Sequence, residues 1–345
     1  MPSTHRPASA QSSSDLACAV PGTGRVAGGP VPFAEFVLPW FNAKAARGIR
    51  VALVTLVEVD GSSPRPLGSQ MAVAEDGSAI GNITGGCAEA AIVTEALVAI
   101  ESQSNRRIRY GKGSPYFDIR LPCGSGIEIY INARIDPELI ALAAEHLQAR
   151  QPVTLVQDTK AHRSWLETDG QDRPGAKADY RKQYEPARRI VAIGKGAILG
   201  SLCQMGDITG FEIVAISTEP ELLAQVAPHC AEQVHLKSPR DFAYAGLDQW
   251  SAAVLLFHEH EWEPAILGKI LGSPCFYVGA LGSRRTHASR VQTLGHMGFA
   301  AEDILRIRAP VGLDIGASSP PEIAISILGE IIAARRRAEP VNALA

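Results

Sequence analysis

Residues 189–200 read RIVAIGKGAILG: a β-branched run ends on a glycine loop and passes into an apolar helical stretch. Gly194, Gly196 and Gly200 stand at that junction in a GxGxxxG spacing. Glycines at such a junction permit a tight turn, let a phosphate approach the backbone, and let the helix lie close on its strand. Moving outward toward the C-terminus, GAILGSLCQMGDITG reads as a helix, FEIVAIS as a strand, and AAVLLFHEH and PCFYVGALG as two more strands separated by helical sequence. This alternation predicts a Rossmann-like parallel sheet with helices on both faces over 189–338.

The glycine loop has two readings. One is a dinucleotide site, which calls for an acidic residue about 20 positions on to hold the ribose hydroxyls. Here the second strand ends FEIVAISTEP, with Ser217 and Thr218 and no acid before Glu219. That argues against NAD, while Lys195 and the Ser-Thr pair leave room for the 2′-phosphate of NADP. The other reading is a scaffold kept for its fold, since fold does not fix function.

Ligands of open parallel sheets gather outside the carboxyl ends of the strands, and two further segments fall there. FYVGALGSRR (276–285) places Gly282, Ser283, Arg284 and Arg285 at a helix start, where N–H groups, a hydroxyl and two guanidinium groups suit an oxyanion or phosphate. In APVGLDIGASSPPEIAISILGEI (309–331), Asp314 sits in a glycine-flanked loop and could orient an arginine, bind a ligand amine, or form a turn. Ser318-Ser319-Pro320-Pro321-Glu322 reads as a capped helix start. HEH at 258–260 puts two histidines on one side of a strand end, so geometry allows a metal, but no third ligand is evident nearby.

Toward the N-terminus, the polar stretch 157–188 reads as an interdomain linker or long loop. Residues 31–156 mix elements and predict an α+β domain. A helix near 33–46 leads to a buried strand at 51–59. QMAVA and SAIGNI flank Glu-Asp-Gly as a hairpin. A helix runs from Cys87 to about 102 with its stripe at Ile92, Ala96, Ala99 and Ile100. RRIRY, FDIRL and GIEIYINAR follow as strands, then a helix at 137–149 and the strand PVTLV. Arg65, between two prolines in GSSPRPLGS, is a cation on a stiff loop. Residues 1–30, rich in Ser, Pro, Gly and Ala, read as a disordered tail.

In GNITGGCAEA (81–90), Gly85 and Gly86 precede Cys87 at a helix start, where a thiolate is favoured by the dipole and free N–H groups. Cys123, in LPCGSG, is a second thiol in a glycine-rich loop. Cys203 and Cys275 read as buried structural residues. The six cysteines of the 345-residue chain lack CxxC spacing, which argues for free thiols in a cytoplasmic protein over a disulfide framework or zinc knuckle. A formal charge of −3 with scattered Lys and Arg provides no basic field, so nucleic acid is not the expected partner. No apolar run approaches the ~18 residues that span a bilayer.

Taken together, GSSPRPLGSQM, GNITGGCAEA, VAIGKGAILG, VGALGSRR and PVGLDIGASSPPEIAISILGEI resemble the XdhC/CoxI family, accessory proteins of molybdenum hydroxylases. The resemblance runs from about 33 to 337, apart from the polar stretch. It implies a maturation chaperone more than an enzyme: one that binds molybdenum cofactor (molybdopterin or its dinucleotide form), holds it while a cysteine desulfurase installs the terminal sulfido ligand, and passes it to the apo-hydroxylase. It implies Cys87 as a soft ligand to molybdenum, and Arg65, Arg284, Arg285 and the glycine loops as contacts for the rest of the cofactor. A homodimer is the expected assembly. Two positions depart from the family pattern, both where a nucleotide would sit. The loop is GKGA where the family has a GAGH-like sequence, and Ser217-Thr218 replace an acidic pair.

Overall fold

The computed structural model describes residues 37–63, 65–114, 125–168, 178–257 and 262–338. Its first half is built on β1 (Val51–Asp60), whose first six residues are all buried. Such a run, rather than an alternating one, belongs to a strand covered on both faces. Ala52, Val54 and Leu56 pack beneath α2 (Glu89–Glu101), against that helix's Ile92, Ala96, Ala99 and Ile100. Val51 and Leu53 point the other way, into a second core with α1 (Val37–Ala45) and α3 (Pro137–Gln148).

Four more strands complete an antiparallel sheet. β2 (Gln70–Ala74) and β3 (Ala79–Gly81) form the hairpin expected around Glu-Asp-Gly, while β4 (Arg106–Gly111) and β5 (Gly126–Asn132) lie beyond β1. The order is β3-β2-β1-β5-β4. FDIRL and Cys123 lie outside the described residues, as do residues 1–36 and HEH.

The stretch expected as a linker contributes two strands. β6 (Val153–Asp158) pairs on one side with β7 (Arg163–Glu167) and on the other with β8 (Tyr180–Tyr184), all antiparallel. Tyr180 and Tyr184 are buried while Arg181 and Gln183 between them are exposed, the alternation of a strand with one face in the core. The polar composition comes from the outer face. Tyr184 carries this sheet onto the first one, its hydroxyl donating to Gln70 Oε1 at 2.7 Å.

From residue 189 the chain forms a parallel sheet of β9 (Arg189–Gly194), β10 (Glu212–Ser217), β11 (Glu232–His235), β12 (Ser251–Leu256), β13 (Tyr277–Ala280) and β14 (Ile307–Arg308). The order β11-β10-β9-β12-β13-β14 is the doubly wound 3-2-1-4-5-6 order, with its switch point between β9 and β12. On one face α4 (Ala197–Ile208), α5 (Pro220–Val226) and α9 (Pro320–Ala338) cover Ile190, Ala192, Ile213 and Val254. On the other, α6 (Glu263–Leu271), α7 (Arg284–His296) and α8 (Ala301–Leu305) cover Val191, Ile193, Val214 and Leu255. Burial on both faces explains the near-continuous apolar strands.

Arg150, in the turn after α3, fastens the first half to the second. Its Nε and Nη2 donate to the two Asp248 oxygens at 2.7 and 3.1 Å, and Nη1 donates to Ala187 O at 2.6 Å. Among the described residues no helix is long and apolar enough to cross a membrane.

Candidate functional site

The loop between β3 and α2 is organised by one carboxylate. Glu89, the first residue of α2, accepts from the N–H groups of Ile83 (3.2 Å), Thr84 (2.7 Å) and Gly86 (2.8 Å), and from the Thr84 hydroxyl at 2.5 Å. The Ala88 N–H is shared between Thr84 Oγ1 and Glu89 Oε2. Gly85 donates to Asn82 Oδ1 at 2.6 Å, with φ of +79° here and +111° at Gly86. Two successive positive φ values turn the chain so that its N–H groups converge on Glu89. Burial pushes the Glu89 carboxyl up, but the bonds from Thr84 and its neighbours outweigh this and hold it below the usual range.

The helix therefore starts at Glu89, two residues later than expected, and the N–H groups expected to face the thiol face this carboxylate instead. Cys87 is left exposed at the apex of the loop, free of any disulfide. Among the described cysteines, Cys203, Cys230 and Cys275 are buried, so only Cys87 offers a thiol to a large ligand. Arg65 is half-buried in its proline loop, with Nε enclosed and without a partner among the described residues.

The second group of expected residues lies at the carboxyl edge of the parallel sheet. Gly194 ends β9, where an added Cβ would fall 2.5 Å from the Leu256 carbonyl, so only glycine fits beside β12. Gly196 caps α4 at φ +77°. Gly200 is not what lets the helix approach its strand, because a Cβ there would meet Leu222 at an ordinary 3.5 Å; Gly206, where it would meet Ile213 at 2.5 Å, fills that role. Glu219 supplies the acid that the strand end lacks. Its Oε2 accepts from the Gly196 N–H at 3.0 Å, and its own N–H donates to Ser217 Oγ at 3.1 Å.

At the β13–α7 loop, Ser283 caps α7 by accepting from the Thr286 N–H at 3.2 Å. Gly282 precedes it, and the Arg284 and Arg285 side chains are exposed with no ion pair to any described residue. Beneath them Arg290 and Glu263 form a buried ion pair that the sequence reading missed. No local spacing signals it, because Glu263 and Arg290 lie 27 residues apart on different helices. The loop carrying Asp314 is anchored at its base, where the Gly312 N–H and the Tyr277 hydroxyl both donate to Glu330 Oε2 at 2.8 and 2.6 Å. Asp314 itself is exposed between exposed Leu313 and Ile315. The capped start of α9 is as expected: Glu322 accepts from the Ser318 and Ser319 N–H groups, both at 2.9 Å.

The structure thus groups the expected residues into two sets. Gly85, Gly86, Cys87 and Arg65 belong to the antiparallel domain. Gly194, Gly196, Gly282, Ser283, Arg284, Arg285 and Asp314 belong to loops of the parallel domain. No hydrogen bond or ion pair among the described residues joins the Cys87 loop to the Arg284 loop. Among these residues there is also no cluster of three or more His, Cys, Asp or Glu that could hold a metal on its own.

Comparison with known proteins places this architecture. Residues 190–331 match the XdhC Rossmann domain, and residues 45–111 match the XdhC and CoxI family. The chain is 34% identical over 298 residues to the molybdenum cofactor insertion chaperone PaoD of Escherichia coli (strain K12), covering 86% of this chain and 87% of that protein. It is 25% identical to a probable xanthine dehydrogenase subunit of Bacillus subtilis (strain 168), covering 83% and 93%. A crystal structure from Bacillus halodurans, described as a xanthine dehydrogenase, superposes with a TM-score of 0.71 at 21% identity, covering 88% of this chain and 96% of that one, and so shares the fold. On these grounds the chain belongs to the XdhC and CoxI family.

Proposed function

We propose that this chain takes up molybdenum cofactor, holds it through Cys87 while the terminal sulfido ligand is installed, and passes it to a xanthine dehydrogenase-type hydroxylase. The observation that carries this reading is the exposed Cys87 thiol on a loop latched by Glu89. A thiolate is a soft ligand suited to a molybdenum centre that brings its own dithiolene sulfurs. One protein ligand is then enough, which fits a cargo that must be released. Arg284 and Arg285, exposed and without ion pairs among the described residues, suit the cofactor's phosphate. The name of the relative PaoD supports the same role. The apo-hydroxylase, a cysteine desulfurase and a second copy of the chain are the partners this reading carries.

The test is activation of a purified apo-hydroxylase by the cofactor-loaded chain. Wild-type chain restores activity, Cys87→Ser does not, and equal activation by both would remove Cys87 from the site.

Glu219 favours a second reading, in which the Rossmann loop binds NAD(H) for an oxidoreductase activity. Its carboxylate sits against the glycine loop, where a ribose diol would be read. That acid also weighs against a 2′-phosphate, and so against NADP.

A further inference from the structure

α9 buries one face and leaves the opposite face apolar. Ala324, Ile327, Leu328 and Ile331 lie in the core shared with α4. Across the helix from them, Glu322, Ile325, Gly329, Ile332 and Arg336 recur at alternating intervals of three and four residues, so they form one seam. Ile325 is 53% exposed and Ile332 40%. A single exposed isoleucine is ordinary, but Leu313 joins these two into a patch. Its N–H donates to Ser326 O at 3.1 Å, and its Cδ1 lies 3.0 Å from where a Cβ at Gly329 would stand. The Leu313 side chain, 44% exposed, thus sits beside the middle of the seam.

The ends of the seam define what covers it. Glu322 begins it and Arg336 ends it, both exposed, and about 21 Å apart along the axis at the usual helical rise. The hydrogen bonds from Ser318 and Ser319 all reach Glu322 Oε2, so the cap leaves Oε1 to a cation. From either end the order is charge, isoleucine, glycine, isoleucine, opposite charge. Such a pattern is complementary to itself in one orientation. Two copies laid antiparallel about a two-fold axis at Gly329 place each Glu322 beside the partner's Arg336 and each Ile325 beside the partner's Ile332. The two Leu313 side chains then meet near the axis. A parallel arrangement sets glutamate against glutamate and arginine against arginine. The exposed end pairs set direction, and the apolar contacts supply the affinity.

We propose that the exposed seam of α9 is the surface on which two copies of this chain pair, antiparallel about a two-fold axis. The inference rests on the proposed function only for naming a second copy as partner; the seam itself owes nothing to the cofactor.

The experiment is sedimentation of the full chain over a concentration series, with pterin content measured in the same samples after expression beside the client hydroxylase. Wild type is expected to pass from monomer to dimer as concentration rises. Ile325→Glu and Ile332→Lys place good helix formers at exposed positions, so the fold tolerates them. Each sets a charge against the partner's isoleucine, and each alone should weaken the dimer about tenfold or more. Mixed in equal amounts, the two variants should pair again. The new carboxylate at position 325 of one chain then faces the new ammonium at position 332 of the other, while the second contact stays isoleucine on isoleucine. A wild type that is monomeric at every concentration, a dimer unmoved by either substitution, or a mixture that stays monomeric would each overturn the inference. A monomeric wild type whose single variants fail to activate the apo-hydroxylase would overturn it in favour of the client. A monomeric wild type that carries pterin removes this surface and leaves the chaperone reading. A dimer that responds as expected but carries no pterin supports the surface and removes that reading.

Discussion

Glu89 Oε2 lies 2.8 Å from the Gly86 N–H, so the residue just before Cys87 is latched to the first residue of α2. The thiol's exposure and the loop's order thus have one cause. Hydrogen bonds to a charged acceptor are worth about 1.5–3 kcal/mol in dry surroundings and less where water reaches them, so Glu89→Gln is expected to cost about 1–2 kcal/mol. Urea denaturation reads the loss, and amide exchange places it at residues 83–88. Unchanged exchange there would mean that the loop holds its shape without the carboxylate.

The start of α9 depends on acid in a defined direction. Hydrogen bonds from the Ser319 and Ser318 N–H groups hold the Glu322 carboxyl at about 2, below its ordinary 4.5. The folded state prefers the ionised form, so the contribution is complete above pH 4.5 and fades as pH falls toward about 2. Amide protection of Ser318 and Ser319 should fall across that window in the wild type and be already low at neutral pH in Glu322→Gln. A flat pH profile contradicts the cap.

The Arg290–Glu263 pair predicts a non-additive pattern. Removing one partner strands a buried charge, so Arg290→Met or Glu263→Leu alone costs about 3–5 kcal/mol, while the double substitution recovers most of it. Thermal unfolding of the three variants measures this. A double variant as unstable as the sum of the singles would mean that the two side chains act independently.

Glu219 sets a nucleotide preference if the Rossmann loop binds one. Fluorescence titration is expected to find NADH bound more tightly than NADPH, because a 2′-phosphate would meet the carboxylate beside Gly196. Glu219→Ser should bring the two affinities together or invert them. Tighter NADPH binding by the wild type would contradict the placement of the ribose at Glu219.

Periodicity carried most of the fold. Ile92, Ala96, Ala99 and Ile100 are the buried stripe of α2, and the alternation after residue 189 is a doubly wound sheet, because burial on a helix face or a covered sheet leaves a repeating apolar signal. The signal fails where polar outer faces dominate a strand: Tyr180 and Tyr184 are the inward positions of β8, and the charged residues between them disguised it. At the site, residue types were legible and partnerships were not. Cys87 and the arginines stood out by chemistry. Glu89, Glu219 and the Arg290–Glu263 pair act through contacts that only the folded chain brings together.

The proposed function turns on one bond, between Cys87 and the molybdenum of the cofactor. It is tested most directly by mass spectrometry of molybdenum and pterin in the protein purified from cells making its client hydroxylase. About one pterin and one molybdenum per cofactor-loaded chain are expected, both lost in Cys87→Ser while its melting temperature stays that of the wild type. Wild-type chain free of pterin and molybdenum in cells that make active hydroxylase would contradict it.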